Sequence, residues 1–314
     1  MNSIPIDPDV ISLFDELGPP ASVAAADLTG EELRQGMRDA NAVFTRGAEP
    51  IAVHRVTDES VQGRGGKIPV RVYSPETPTS VIVYLHGGAW IGGDIDTHDL
   101  VTRRLSRDTG AVVVSVDYRM LPEHPFPAPF DDAYDAVVWA RSLHPGLPFL
   151  VAGDSAGGTL SACVALRARD EDGPRIDGQV LVYPGIDDNL DTPSMHAFRD
   201  SSPTSVENLR FFFQQYASNE AALGSPYALP GRATSLAGLP PAIVAIAGHD
   251  LLRSAEEDYA RRLQGDGVPV TVQLDPELVH AWIEFAPRVP AADRAFTRLT
   301  DAVNELVGRV SLPI

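Results

Sequence analysis

Residues 153–157 read Gly-Asp-Ser-Ala-Gly, a G-x-S-x-G pattern between an apolar run at 149–152 and a stretch of helical pattern. Glycines on both sides of the serine permit a strained strand-to-helix turn. Such a turn lifts the hydroxyl above a sheet edge, at the positive end of the following helix. That placement suits a nucleophile in acyl transfer. A serine needs a base that takes its proton near neutral pH and later returns it. Histidine suits that task, with a carboxylate behind it to fix tautomer and orientation. Asp154 adjoins Ser155, and adjacent side chains on such a turn point in different directions. Asp154 is therefore expected to brace the turn by hydrogen bonds.

Eight histidines compete for the base: His54, His86, His98, His124, His144, His196, His249 and His280. His280 follows an apolar strand-like run at 270–274 by a short loop, and Asp250 follows another at 242–247. In a parallel sheet both strand ends lie at the same edge as Ser155, which makes Asp250 and His280 the expected acid and base. His249 adjoins Asp250 and is expected to make a loop or cap contact; His54 and His144 are expected to be solvated. Acyl transfer also needs donors for an oxyanion. His86-Gly87-Gly88-Ala89-Trp90 directly follows the run at 81–85. Backbone rich in glycine can present N–H groups without side-chain obstruction. The expected donors are the amides of Gly87, Gly88 and Ala156. Neither G-x-x-x-x-G-K-[ST] nor G-x-G-x-x-G occurs, which disfavours nucleotide binding.

These residues must be held by a regular scaffold, and the pattern supplies one. Buried-strand runs at 81–85, 112–116, 149–152, 179–183, 242–247 and 270–274 alternate with helical stretches at 97–108, 129–143, 155–170, 255–264 and 291–306. Continuous apolar strands alternating with amphipathic helices mean an α/β fold, a mostly parallel sheet covered by helices on both faces. Early strands at 53–56 and 68–73 precede it. Residues 1–50 carry two helical stretches, the second opened by Thr29 and Glu32 as a capping box. Residues 185–235 interrupt the rhythm with a polar loop, an aromatic-rich helix around Phe211-Phe212-Phe213, and a Pro/Gly-rich return. Long insertions after a strand's C-terminal end are where α/β enzymes build substrate sites.

The bulk numbers set limits. The chain has 314 residues, enough for one large α/β domain. Its net charge of −18 argues against binding nucleic acid or docking on an anionic membrane. The one cysteine, Cys163, excludes an intrachain disulfide and is expected to pack in a helix. No Cys/His cluster has zinc spacing. The start of the chain lacks a signal-peptide pattern, and no stretch reaches the length of a membrane span. A cytoplasmic protein without metal or organic cofactor is expected.

In order, the chain carries HGGAW at 86–90, YRMLPEHPFPAPFDDA at 118–133, GDSAGG at 153–158, AGHDLLRSAEEDYARRL at 247–263 and VHAW at 279–282. Together these resemble the bacterial hormone-sensitive-lipase-like esterases of the α/β-hydrolase fold, from about residue 50 to the end. The resemblance implies Ser155 as nucleophile, Asp250 as acid, His280 as base, and the Gly87, Gly88 and Ala156 amides as oxyanion hole. It implies that His86 stabilises the glycine loop and that residues 117–122 are structural. Residues 1–50 then form an N-terminal cap segment and 51–314 the catalytic domain, with a cap insertion at about 185–225. Trp90, Tyr183, Phe212 and Trp282 are expected to line the substrate pocket. Three departures stand out. Ala89 replaces the third glycine of the family's HGGG. Ala281-Trp282 replaces a small residue and phenylalanine. The acid motif D-P-L-R-D reads Asp250-Leu251-Leu252-Arg253-Ser254. The implied activity is hydrolysis of short- to medium-chain acyl esters, with a homodimer through the last strand and helix as the family's common assembly. Lactones, carbamates or aryl esters are the alternative substrates; a non-catalytic ligand binder or an acyltransferase on the same fold are the alternative functions.

Overall fold

The computed structural model describes residues 4–18, 23–200, 203–217 and 219–311. Both cap segments named above contain a few positions outside these. The central feature is an eight-stranded sheet in the order β1-β2-β4-β3-β5-β6-β7-β8. β1 (Arg55–Gly63) and β2 (Gly66–Ser74) form an antiparallel hairpin, and β2 pairs antiparallel with β4 (Ala111–Val116). From there every pairing is parallel, through β3 (Ser80–Leu85), β5 (Phe149–Asp154), β6 (Gly178–Val182), β7 (Ala242–His249) and β8 (Val270–Val279). All the C-terminal ends of these strands therefore meet at one edge.

The alternation of side chains along each strand divides the core. Val81, Val83, Leu85, Phe149 and Val151 face one side, where α4 (Ala128–Leu143) and α5 (Ala156–Asp170) cover them. Ile82, Tyr84, Leu150 and Ala152 face the other, under α3 (Asp99–Thr109) and α10 (Pro290–Val310). Burial on both faces explains the unbroken apolar runs.

The N-terminal α1 (Pro8–Leu17) and α2 (Gly30–Phe44) pack onto this body. In α2, Glu32 N–H donates to Thr29 Oγ1 at 3.2 Å and Thr29 N–H to Glu32 Oε2 at 2.8 Å, closing the expected capping box. Arg34 of α2 donates to the carbonyls of Ile91 (3.1 Å) and Leu121 (2.6 Å), tying this segment to the loops beyond the sheet edge. The insertion after β6 holds α6 (Pro193–Ala197), α7 (Val206–Tyr216) and α8 (Glu220–Leu223). α9 (Arg253–Gly265) joins β7 to β8.

Two strands outrun their sequence patterns: β1 reaches Gly63, well past the run at 53–56, and β8 is longer still at its C-terminal end. β8 continues past residue 274 through Asp275-Pro276-Glu277 to Val279. Proline donates nothing to a ladder, so it reads as a strand end, but β8 is the sheet's edge and tolerates it. A register shift between Ala247 and His249 accommodates the run, and Gly248 lets the Pro276 backbone pass close by. The consequence is that His280 leaves the strand directly, with no intervening loop.

Candidate active site

Ser155 stands between β5 and α5 with φ 50° and ψ −119°, a conformation that non-glycine residues rarely adopt. Its surroundings hold it there. Ser155 N–H donates to the Val182 carbonyl at 2.8 Å, and its own carbonyl accepts from Thr159 N–H at 3.0 Å. The flanking glycines are required by contact: a Cβ on Gly157 would press into the Leu85 carbonyl, and one on Gly153 would meet Leu85 and Gly157 backbone.

Three side chains from three strand ends converge. His280 Nε2 lies 2.9 Å from Ser155 Oγ, and His280 Nδ1 lies 2.6 Å from Asp250 Oδ2. Asp250 is buried, and its Oδ1 accepts Leu252 N–H at 3.0 Å, which orients the carboxylate. Burial works against charge on His280, but the Asp250 carboxylate, with Asp154 and Glu284 adding to it, outweighs it and holds the imidazole pKa above its ordinary 6.5. His249 turns away, with Nε2 2.8 Å from the Ile4 carbonyl, a contact to the N-terminal segment. His54 is exposed and His144 half-buried.

The glycine loop corrects one sequence expectation. Gly87 N–H is already committed: it donates to Asp154 Oδ1 at 2.9 Å, and the same oxygen accepts Tyr84 O–H at 2.6 Å. Gly87 is thus unsuited as an oxyanion donor. The rest of the loop is pinned as firmly. His86 Nδ1 is 2.8 Å from the Gly87 carbonyl, Tyr118 O–H donates to the His86 carbonyl at 2.7 Å, and the Gly88 carbonyl accepts Ile91 N–H (3.0 Å) and Gly92 N–H (2.9 Å). Among the described residues the amides of Gly88 and Ala89 make no such bond, and Ala156 N–H opens α5 without a partner four residues back. Gly88, Ala89 and Ala156 are the donors this geometry leaves for an oxyanion. Ala89 takes its place at φ 53°, so the missing third glycine leaves the turn intact. The signal for this shift was present in the sequence: a buried Asp154 bracing the turn must take its hydrogen bonds from somewhere, and the nearest backbone is the loop after β3.

The four aromatic residues expected to line a pocket are all buried. The Tyr183 ring comes 4.6 Å from His280, centroid to centroid. Trp282 packs edge-on against Tyr183 in the core, so it supports the histidine's neighbour and presents no open wall. Trp90 stacks on Tyr216 of α7 at 4.0 Å, which fastens the inserted helix to the glycine loop. Phe212 packs against Phe211 within the same helix.

Behind the glycine loop lies a polar cluster that sequence reasoning passed over. A ring nitrogen of His98 and one carboxyl oxygen each of Asp154 and Glu284 lie within 4.8 Å of one another. His98 Nε2 is 3.4 Å from Asp154 Oδ1. Burial opposes the charge on His98, yet Asp154, Glu284 and Asp94 together lift its pKa to about 9. His86, also buried and facing the positive His98, is pushed down to about 4. Burial would raise Asp154, but His98 and Tyr84 hold it below the usual carboxylate value.

Known proteins resemble this chain over most of its length. The alpha/beta hydrolase fold family matches residues 82–284. Esterase LipI of Mycobacterium tuberculosis is 39% identical over 306 residues, spanning 93% of this chain and 92% of its own. Carboxylesterase NlhH of the same organism is 41% identical over 244 residues, 74% of this chain and 76% of its own. A solved esterase of Pyrobaculum calidifontis superposes with a TM-score of 0.87 at 33% identity, over 96% of this chain and 99% of that one.

Proposed function

Since the chain belongs to the alpha/beta hydrolase fold family and is a carboxylic-ester hydrolase of the hormone-sensitive-lipase-like group, we propose that Ser155 is its nucleophile, His280 its general base and Asp250 the acid behind that base. The observation that carries this reading is the unbroken chain of contacts from Ser155 Oγ through His280 to Asp250.

His280 Nε2 takes the Ser155 proton as Oγ attacks the acyl carbonyl. Charge moves onto the carbonyl oxygen, where the Gly88, Ala89 and Ala156 amides receive it. Asp250 opposes the imidazolium so formed. The proton passes to the departing alcohol, leaving an acyl-serine. Water, activated by the same histidine, releases the acid and restores the serine.

Short- to medium-chain acyl esters are the proposed substrates. Among the described residues of the insertion between β6 and β7, the α-helices other than α7 are only four and five residues long, and α7 is anchored through Tyr216 on Trp90 rather than swung out as a long lid. A homodimer through β8 belongs to the same reading. That strand is the sheet's edge and exposes Val272 and Leu274, at 45% and 41%. Light scattering on the purified protein tests it. Among the described residues no helix is long and apolar enough to cross a membrane. A cytoplasmic location is proposed from the single, buried, unpaired cysteine, which fits a reducing compartment.

Ser155→Ala tests the assignment. Turnover of p-nitrophenyl butyrate is expected to fall on the order of 10⁶-fold, and covalent labelling by a fluorophosphonate is expected to vanish. Near-normal turnover in that variant would overturn the reading.

A further inference from the structure

The loop that presents the Gly88 and Ala89 amides is held on its inner side by one acceptor, Asp154 Oδ1. A buried carboxylate survives as an anion only beside a compensating charge. The polar environment of Asp154 contains Tyr84, Gly87, His98 and Glu284, with His86 also acting on it. Burial and the neighbouring His98 push His86 down to about 4 and keep it neutral, which leaves His98 to carry the positive charge. Its ring geometry calls for that state. Thr97 Oγ1 donates to the Asp94 carbonyl at 2.9 Å, so the 3.0 Å contact between Thr97 Oγ1 and His98 Nδ1 requires Nδ1 to be the donor. Nε2, the other nitrogen, lies 3.4 Å from Asp154 Oδ1, and Glu284 belongs to the same cluster. Beside the Asp154 carboxylate Nε2 keeps its proton too, in line with the pKa lifted to about 9, and the ring is then an imidazolium.

We propose that His98 is a positioning residue for ester hydrolysis: its imidazolium keeps Asp154 ionised toward the Gly87 N–H and so aims the Gly88 and Ala89 amides at the developing oxyanion. His98 touches neither substrate nor Ser155. It acts through the carboxylate, because hydrogen bonds to an ionised acceptor are about twice as strong as those to a neutral one. Loss of the charge lets Asp154 take up a proton, weakens its hold on Gly87, and loosens the one hydrogen bond that holds an amide of the Gly87–Ala89 segment, whose other hydrogen bonds reach only carbonyls.

This inference rests on the esterase reading of Ser155, and the two fail separately. The test compares wild type with His98→Leu and His98→Gln, all full-length, on p-nitrophenyl butyrate, with Ser155→Ala alongside. His98→Leu is expected to lower kcat by about 10- to 100-fold, in line with a displacement of up to 1 Å at a catalytic group, while KM stays within about threefold. Binding of an aryl trifluoromethyl ketone, whose adduct mimics the oxyanion, is expected to weaken by the same factor as kcat/KM. His98→Gln keeps a donor without a charge and is expected to fall between the two. A folded His98→Leu with kcat within about twofold of wild type, or a loss confined to KM, overturns the proposal. Where His98→Leu fails to fold, His98→Gln is judged by the same limits. Activity lost on dialysis against a chelator and restored by a divalent metal also overturns it, since a metal would then be the charge between the carboxylates. Activity retained in Ser155→Ala would instead strike the reading of the nucleophile.

Discussion

Replacing Gly153 by alanine tests how closely the site is built. Gly153 is the last residue but one of β5, and its backbone is ordinary strand, so the requirement for glycine comes from neighbours. An added Cβ would lie 2.5 Å from each of three backbone atoms: the Gly157 carbonyl carbon and oxygen, and the Leu85 carbonyl oxygen. Ordinary contact begins at 3.4 Å, so something must retreat by about 0.9 Å. Neither side is a flexible side-chain tip. Gly157 belongs to the first turn of α5, which carries the Ala156 amide; Leu85 ends β3 and leads into the glycine loop. Either retreat changes the distance between Ser155 and an oxyanion donor. A misplacement of about 1 Å costs on the order of 10²-fold in rate, and overpacking a tight core costs about 1–3 kcal/mol. The expected result for Gly153→Ala is a kcat for p-nitrophenyl butyrate lower by about 100-fold, with a modest fall in melting temperature. Gly36→Ala, on α2 with open space around the new methyl, serves as the control and is expected to retain full activity. A Gly153→Ala enzyme with wild-type kcat would refute the argument that contact, rather than turn flexibility, demands that glycine.

Two further outcomes follow from buried titratable groups. His280 must be neutral to accept the serine proton, and its pKa is raised, so kcat/KM is expected to fall with decreasing pH through a midpoint above 6.5; a midpoint near 5.5 in a pH–rate profile would count against His280 as the base. Glu256 of α9 is fully buried with neither carboxylate oxygen hydrogen-bonded, and burial, with Asp250 nearby, pushes its pKa well up. A group whose folded pKa is raised holds its proton in the native state, so stability is intact below the unfolded value near 4.5 and is lost as pH rises toward the folded pKa. Glu256→Met is therefore expected to stabilise the protein at pH 8 by about 1–3 kcal/mol, with the gain shrinking toward pH 4.5 in thermal melts; equal gains at both pH values would show that ionisation is not the cause.

Much of the scaffold was legible because burial on both faces of a parallel sheet leaves an unmistakable mark. Runs such as Val81–Leu85 and Ala111–Val116 have no polar alternation to confuse them with surface strands. The serine, acid and histidine were legible for a related reason: each follows a strand, and parallel strands deliver their ends to one edge. What escaped were matters of contact. Proline in β8 hid the strand's last residues of pairing, since its missing donor costs a ladder bond only where that N–H would face a neighbouring strand, and an edge strand has one open side. Trp282 looked like a pocket wall by its place after His280, yet folding put it in the core against Tyr183.

The sequence by itself determined the layered α/β architecture, the glycine-flanked turn at Ser155 and the order of the three chemical groups, because these depend on local pattern and chain direction. Tertiary structure alone decided which amides face the site. Gly87 and Gly88 are equivalent as letters, but Asp154, reaching across from β5, consumes the first and leaves the second free with Ala89. It also decided that His98, 57 positions before Ser155 in the chain, sits beside the neighbouring carboxylate. A hydrogen bond has one donor and one place, and that place is fixed only when strands distant in sequence lie side by side.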